Sequence, residues 1–151
     1  MAASAFKSLN LFWVAMFISN VVIMCLAFVI VPMPESGGAP PSAPYVFMAV
    51  GLALLIISHL IPVSIFRKRV KQYPHFVKNK NIEAIFQMYL TPQIIMLAYC
   101  EAVTAMGIAA SVQTHDPRTI LPFGVAAVAN MVLLRPSKDK ILSLAEKAIA
   151  V

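Results

Sequence analysis

Residues 9–31 read LNLFWVAMFISNVVIMCLAFVIV, a run of 23 residues without one charged side chain. A helix needs about 20 apolar residues to cross the hydrocarbon core of a bilayer. The run is too long for the apolar part of a signal peptide, and no small-residue cleavage site follows it. We therefore interpret it as a retained transmembrane helix.

The composition of the whole chain agrees with this interpretation. Of its 151 residues, 60% are hydrophobic and 12% are charged, and the mean hydropathy is +0.83. A soluble domain typically carries about 25% charged residues. These values exclude a disordered chain, a fibrous protein and an ordinary water-soluble enzyme. They predict an all-α fold in which residues 1–151 form one integral-membrane domain.

Three further apolar runs lie at about residues 45–66, 84–112 and 119–135. The sequence therefore predicts four transmembrane helices in an up-down bundle, with a proline-rich loop at residues 32–44 between the first two. The fourth run is short and contains Pro122 and Gly124. A three-span protein whose fourth segment is re-entrant or lies on the surface stays as the alternative.

Residues 137–150 show a different pattern. Apolar side chains recur there at helical spacing and three lysines lie among them. That pattern predicts a short amphipathic helix on the membrane surface.

Basic residues are divided very unevenly between the two sides of this arrangement. With the N-terminus inside, eleven of the twelve Lys and Arg residues fall on the inner side and only Arg118 falls outside. Because positive residues mark the cytoplasmic side, both termini are expected in the cytoplasm, in a bacterial inner membrane. The central basic cluster either serves topology alone or forms a lipid-headgroup or partner site. The cluster consists of Arg67, Lys68, Arg69 and Lys71.

Four polar residues are predicted at membrane depth, namely Asn20, His59, Glu101 and Asn130. A rise of about 1.5 Å per residue from Leu90 puts Glu101 about 16 Å into the third helix, near the midplane. Hydrocarbon favours the neutral form of a carboxyl, and such residues normally face protein or water. The four residues are candidates for one interior polar network. It would serve as hydrogen-bond glue between helices, as a proton or ion path, or as a ligand site.

The third predicted helix also carries a stripe of small residues. Ala98, Ala102, Ala105 and Ala109 recur at intervals of four, three and four, and Gly107 lies beside them. Such faces let two helix backbones approach closely. The stripe predicts a packing seam, either within one chain or between protomers.

Residues 99–110, YCEAVTAMGIAA, resemble the second helix of the rotary ATP synthase proteolipid, the c subunit. In that family a mid-helix carboxylate followed by Ala carries the transported proton, so the resemblance implies that Glu101 occupies the carrier position. The resemblance covers about 30 of the 151 residues. The polar loop of the family is replaced here by Lys78-Asn79-Lys80-Asn81, and the fourth predicted span carries no carboxylate.

The sequence contains no catalytic signature. It has no phosphate-binding loop, no nucleophile elbow and no nucleic-acid-binding module. No His and Cys have metal-ligand spacing, and Cys25 and Cys100 are expected to be reduced. We therefore expect no metal, no cofactor and no enzymatic activity.

The leading functional hypothesis is a small membrane subunit that forms a homo-oligomer or packs with partner proteins in the lipid bilayer. The alternative is a proton- or ion-translocating element centred on Glu101. An intramembrane enzyme or ligand-binding protein that uses His59 and Glu101 is the least favoured hypothesis.

Overall fold

The computed structural model describes residues 3–32 and 44–150, and all regular secondary structure in them is helical. The helices are α1 (Ala3–Ile30), α2 (Pro44–Gln72), α3 (Pro74–Lys78), α4 (Ile82–Thr114), α5 (Ile120–Leu133) and α6 (Lys138–Ile149), with a 3-10 turn at Pro117–Thr119 before α5. The predicted all-α class is confirmed. Most of the predicted proline-rich loop lies outside the described residues.

Three of these helices are long and apolar enough to cross a membrane by length and composition. They are α1, α2 and α4, and the candidate spans within them are Ser4–Ile30, Tyr45–Gln72 and Ile82–Thr114. Residues Pro117–Leu133, which comprise the 3-10 turn and α5, pass this test only together with α6. These two parts are bent by 74° with respect to each other. The structure thus contains three candidate spans, or four when that bent pair is counted as one.

Two helix boundaries differ from the sequence prediction for physical reasons. Helix α2 continues through the basic cluster to Gln72, because Lys and Arg favour helix even where the chain leaves an apolar environment. It ends where Tyr73 precedes Pro74, since a residue before proline disfavours the helical region. Helix α4 begins two residues before the predicted start, and the side chain of Asn81 caps it by accepting from the amide of Ala84.

Helix α4 is the centre of the molecule. It packs against every other helix, whereas α1 and α2 hardly contact each other. In the apolar window of α4, 44% of residues are buried, against 11% in α1 and 17% in α2. The other long helices therefore share α4 as a common packing surface and expose most of their own apolar side chains.

Contacts along α4 give the directions of its neighbours. Ser4 bonds to Glu83 near the starts of α1 and α4, and Asn20 meets Thr104 farther along both helices, so the two are parallel. Helix α2 runs the opposite way, because Phe66 packs edge-on against Tyr89 while Gly51 lies beside Val103.

Helix α5 is also antiparallel to α4. The amide of Gln93 donates to the carbonyl of Leu134 near one end, and Gly107 contacts Phe123 near the other. A Cβ at Gly107 would lie 2.8 Å from the Cβ of Phe123, so only glycine permits this approach of the two helices.

These directions bring the start of α1, the end of α2, the start of α4 and the end of α5 to one end of the molecule. We call it the basic end, because all but one of the Lys and Arg residues lie on segments that meet there. The remaining one, Arg118, lies at the opposite end.

The structure corrects the expected position of the C-terminal helix, α6. Its apolar face was expected to lie on the membrane, but it packs on the rest of the chain. Its apolar side chains Ile141, Ala145 and Ala148 are buried, and the helix packs on α2, α3 and α4 of its own chain. The reason is the length of α2, whose Val70 extends the core beyond Phe66, the predicted end of the span. The polar face of α6, with its lysines, remains exposed.

Candidate functional site

The structure brings three helices together around the side chain of Asn130. This side chain from α5 reaches between His59 and Ser58 of α2 and Cys100 of α4. His59 Nε2 lies 2.7 Å from Asn130 Oδ1. The Nδ2 group of Asn130 lies 3.0 Å from Ser58 Oγ and 3.3 Å from Cys100 Sγ. We call these four residues the Asn130 cluster.

The hydrogen bonds of this cluster fit together without a conflict of donors and acceptors. Asn130 Oδ1 is an acceptor, so His59 donates from Nε2, and its ring carries the proton there when neutral. Asn130 donates both Nδ2 hydrogens, and the Ser58 hydroxyl donates its own to the carbonyl of Leu55 at 2.6 Å. The buried amide is therefore fully bonded, which is what a buried polar group requires.

A second buried contact joins α4 to α1. The Thr104 hydroxyl donates to the side-chain oxygen of Asn20 on α1, and its oxygen also lies 3.3 Å from the carbonyl of Cys100. The amide of Asn20 donates to the carbonyl of Met16 at 3.2 Å. Asn20 and Thr104 are completely buried. Because Cys100 takes part in both groups, the two sets of contacts meet on one face of α4.

Glu101 does not join these groups. It is half-buried, it lies on a lateral face of α4, and residues 3–32 and 44–150 provide no hydrogen bond to its carboxyl. The predicted single network of four residues is therefore corrected. His59 and Asn130 touch directly, Asn20 connects through Thr104, and Glu101 stands apart because its position on the helix points away from the α5 side.

The predicted small-residue stripe is also divided between two faces of α4. Gly107 is buried against α5, but Ala98, Ala105 and Ala109 are exposed and Ala102 is half-buried. The exposed alanines lie on a side of α4 that the described helices leave uncovered. Of the five stripe residues, only Gly107 is a close-packing position.

Several polar contacts were not foreseen from the sequence. Gln93 is fully buried, and its Nε2 donates to the carbonyl of Leu134 while its Oε1 has no partner in the part of the chain that the structure describes. Trp13 Nε1 donates to the carbonyl of Met131 at 2.9 Å. Gln93, Cys100 and Thr104 follow one another at intervals of seven and four residues, which places them on one face of a helix. This spacing is the sequence signal that could have predicted a polar face on α4.

Apart from Glu101, the Asp, Glu, Lys and Arg side chains of the described residues lie near the two ends of the bundle. Arg67, Lys68 and Lys71 of the basic cluster are exposed, and Arg69 is half-buried. At the other end, Asp116 accepts from the Arg118 guanidinium at 2.9 Å. Hydrogen bonds from Arg118 hold the pKa of Asp116 below its ordinary value.

The hydrogen bonds of the Asn130 cluster join α2, α4 and α5. In the Asn130 cluster, the amide of Asn130 separates the His59 imidazole from the Cys100 sulfur, so no base contacts the thiol. Across residues 3–32 and 44–150, no three His, Cys, Asp or Glu side chains are grouped closely enough to hold a metal ion.

Comparison with known proteins gives no relative for this chain: no protein-family model, no curated protein and no solved structure matches it.

We expect the Asn130 cluster to stabilise the fold, and a variant at Asn130 tests this. Asn130→Leu removes the acceptor of the His59 ring N–H and both contacts of the amide with Ser58 and Cys100. We expect a loss of about 1–3 kcal/mol in the free energy of unfolding. The measurement is unfolding of the detergent-solubilised protein by a denaturing detergent, followed by circular dichroism.

Asn10→Leu is the matched control for this measurement. Asn10 bonds only to the carbonyl of Phe6 in its own helix, so its replacement should change the free energy by less than about 0.5 kcal/mol. Equal losses in the two variants would contradict an interhelical role for Asn130.

Proposed function

We propose that this chain is a small, non-catalytic integral-membrane subunit that packs against copies of itself or against partner membrane proteins. The observation that carries the proposal is the exposed alanine face of α4. On the most buried helix of the bundle, Ala98, Ala105 and Ala109 remain uncovered. A central helix that leaves its smallest residues exposed offers a neighbouring helix a close approach.

The uncovered side of α4 supports this proposal. Both α1 and α2 pack on α4 but leave Ala98, Ala105 and Ala109 exposed, so a further helix can reach the alanine face. Without a hydrophobic driving force in lipid, helix association depends on van der Waals packing and on hydrogen bonds. Small side chains allow that packing, and the carboxyl of Glu101 at the edge of this face offers a hydrogen-bond acceptor.

We further propose four membrane crossings with both termini in the cytoplasm of a bacterium. The up-down bundle is formed by α1, α2, α4 and α5, with α6 at the cytoplasmic end. The antiparallel directions of neighbouring helices and the concentration of Lys and Arg at the basic end support this orientation.

Helix α5 is the shortest of the proposed spans. Its 14 residues cover about 21 Å, less than the hydrocarbon thickness of about 30 Å. Contacts with α1 and α4 shield one side of it, and Lys140 donates to the carbonyl of Leu133 at its end. Local thinning of the bilayer accommodates the remaining difference.

A second candidate function is proton or ion translocation at Glu101, as the resemblance to the proteolipid helix implies. The observation in its favour is the isolation of the carboxyl, which has no hydrogen bond within residues 3–32 and 44–150. Exposed Ala98 and Ala105 flank it, so a neighbouring subunit would approach the carboxyl directly. An ionisable group in this situation is a functional-site hypothesis by default.

The alanine face is tested by photo-crosslinking in native membranes. A diazirine-bearing amino acid of small size at position 105 should form crosslinks to protein, either to a second copy or to a partner. The same amino acid at exposed Ala53 of α2 is the control, at a similar depth because neighbouring Gly51 lies beside Val103. Crosslinks to lipid alone at position 105, or equal protein crosslinks at both positions, would contradict the proposal.

Glu101→Gln separates the two candidate functions. The amide keeps the size and hydrogen-bonding capacity of the side chain but cannot carry a proton. If Glu101 serves packing, the variant assembles and supports its partners as the wild type does. If it carries protons, assembly persists while proton flux across proteoliposomes is lost. Flux measured with a pH-sensitive dye, in wild type and variant side by side, distinguishes the two outcomes.

A further inference from the structure

A polar cleft opens at the basic end, where α2 ends, α3 turns and α4 begins. Its volume is about 440 Å³. The lining residues are Arg69, Gln72, Tyr73, Phe76, Ala84, Gln87 and Met88. Polar side chains of two long helices thus face one space, and no Asp or Glu lines it. The cleft is separate from the Asn130 cluster and from the alanine face.

Arg69 is the residue that gives this cleft its charge. Its side chain is half-buried, unlike those of Arg67, Lys68 and Lys71. One nitrogen donates to the hydroxyl of Thr91 at 3.1 Å, which holds the guanidinium against α4. A guanidinium has five N–H donors, so most remain free for a ligand. Within residues 3–32 and 44–150, the single ion pair is Asp116–Arg118 at the other end, so no carboxylate neutralises Arg69.

We propose that this cleft binds the headgroup of an anionic phospholipid. The proposal rests on the membrane insertion proposed above. A phosphodiester accepts hydrogen bonds from the free N–H groups of Arg69, with the planar geometry that suits a guanidinium. Gln72, Gln87 and the Tyr73 hydroxyl are donors and acceptors for headgroup hydroxyls. Phe76 and Met88 provide apolar contact where the acyl chains begin. A choline headgroup finds no carboxylate here, so the cleft favours anionic over zwitterionic lipid.

The geometry singles out Arg69 from the rest of the basic cluster. At about 100° per residue, Arg67 points about 200° away from Arg69 around α2. Both residues contribute equally to the diffuse attraction between the basic end and an anionic leaflet, which falls off within a Debye length. A difference in lipid retention between variants of Arg69 and Arg67 therefore reports binding in the cleft rather than diffuse attraction.

The test is native mass spectrometry of the full-length protein released from vesicles of equimolar phosphatidylglycerol and phosphatidylcholine. Wild type should retain one phosphatidylglycerol. Arg69→Gln should weaken this retention about tenfold, as expected for loss of a charged hydrogen bond. The matched control Arg67→Gln should retain the lipid nearly as wild type does. Gln87→Leu, at an exposed position that folding does not depend on, should weaken retention to a smaller degree.

Three results would overturn the proposal. Equal losses in Arg69→Gln and Arg67→Gln would show diffuse attraction only. Equal retention of phosphatidylcholine would remove the preference for an anionic headgroup. Displacement of the lipid by millimolar inorganic phosphate would identify a site for free anions. The measurement does not involve subunit association, so its failure is distinguishable from failure of the alanine-face proposal.

Discussion

Polar groups inside a bilayer have no water to bond, and α4 is where this chain satisfies that constraint. Gln93, Cys100 and Thr104 share the face of α4 that contacts the other helices. Through them α4 bonds to the carbonyl of Leu134, to Asn130 and to Asn20. Because these contacts reach both α5 and α1, they fix the relative heights of the helices that apolar packing alone would leave free to slide.

The opposite face of α4 follows from this arrangement. Once its polar residues face α1, α2 and α5, the other helices that the structure describes leave the alanines on the opposite side uncovered. Each face therefore has its own physical character: one is polar and buried, the other small and exposed. The first face holds the bundle together, and the second is available for association. Glu101 lies at the boundary between them, which explains why two functional proposals meet at this residue.

Much of the fold could be predicted because run length and charge are properties of the sequence alone. Helix α1 contains residues 9–30 of the first predicted span and α4 contains residues 84–112, because a long apolar run rarely forms any structure other than a helix. The cost of leaving polar groups unbonded in an apolar interior made His59 and Asn130 two of the four candidates for a polar network, but the sequence did not pair them. Their direct contact is known only from the structure.

The parts that were not predicted depend on which neighbour covers which face. Glu101 was expected in one network with Asn20, His59 and Asn130, but depth in the membrane does not fix the direction of a side chain around the helix axis. The apolar face of α6 was expected to lie on the membrane, whereas the long end of α2 covers it. The buried position of Gln93 was not predicted, because an amide near the end of a span is usually assigned to the membrane interface. Only the structure shows that the carbonyl of Leu134 lies beside it.

The central claim is that α4 and α5 cross the membrane in opposite directions, with the basic end in the cytoplasm. The most direct test introduces single cysteines at exposed Gln113 and Ser137, which flank α5, after replacing Cys25 and Cys100 by serine. The cells are then treated with a membrane-impermeant thiol reagent. The account predicts labelling of Gln113→Cys in intact cells, and of Ser137→Cys only after the membrane is opened. Labelling of both positions from the same side would contradict it.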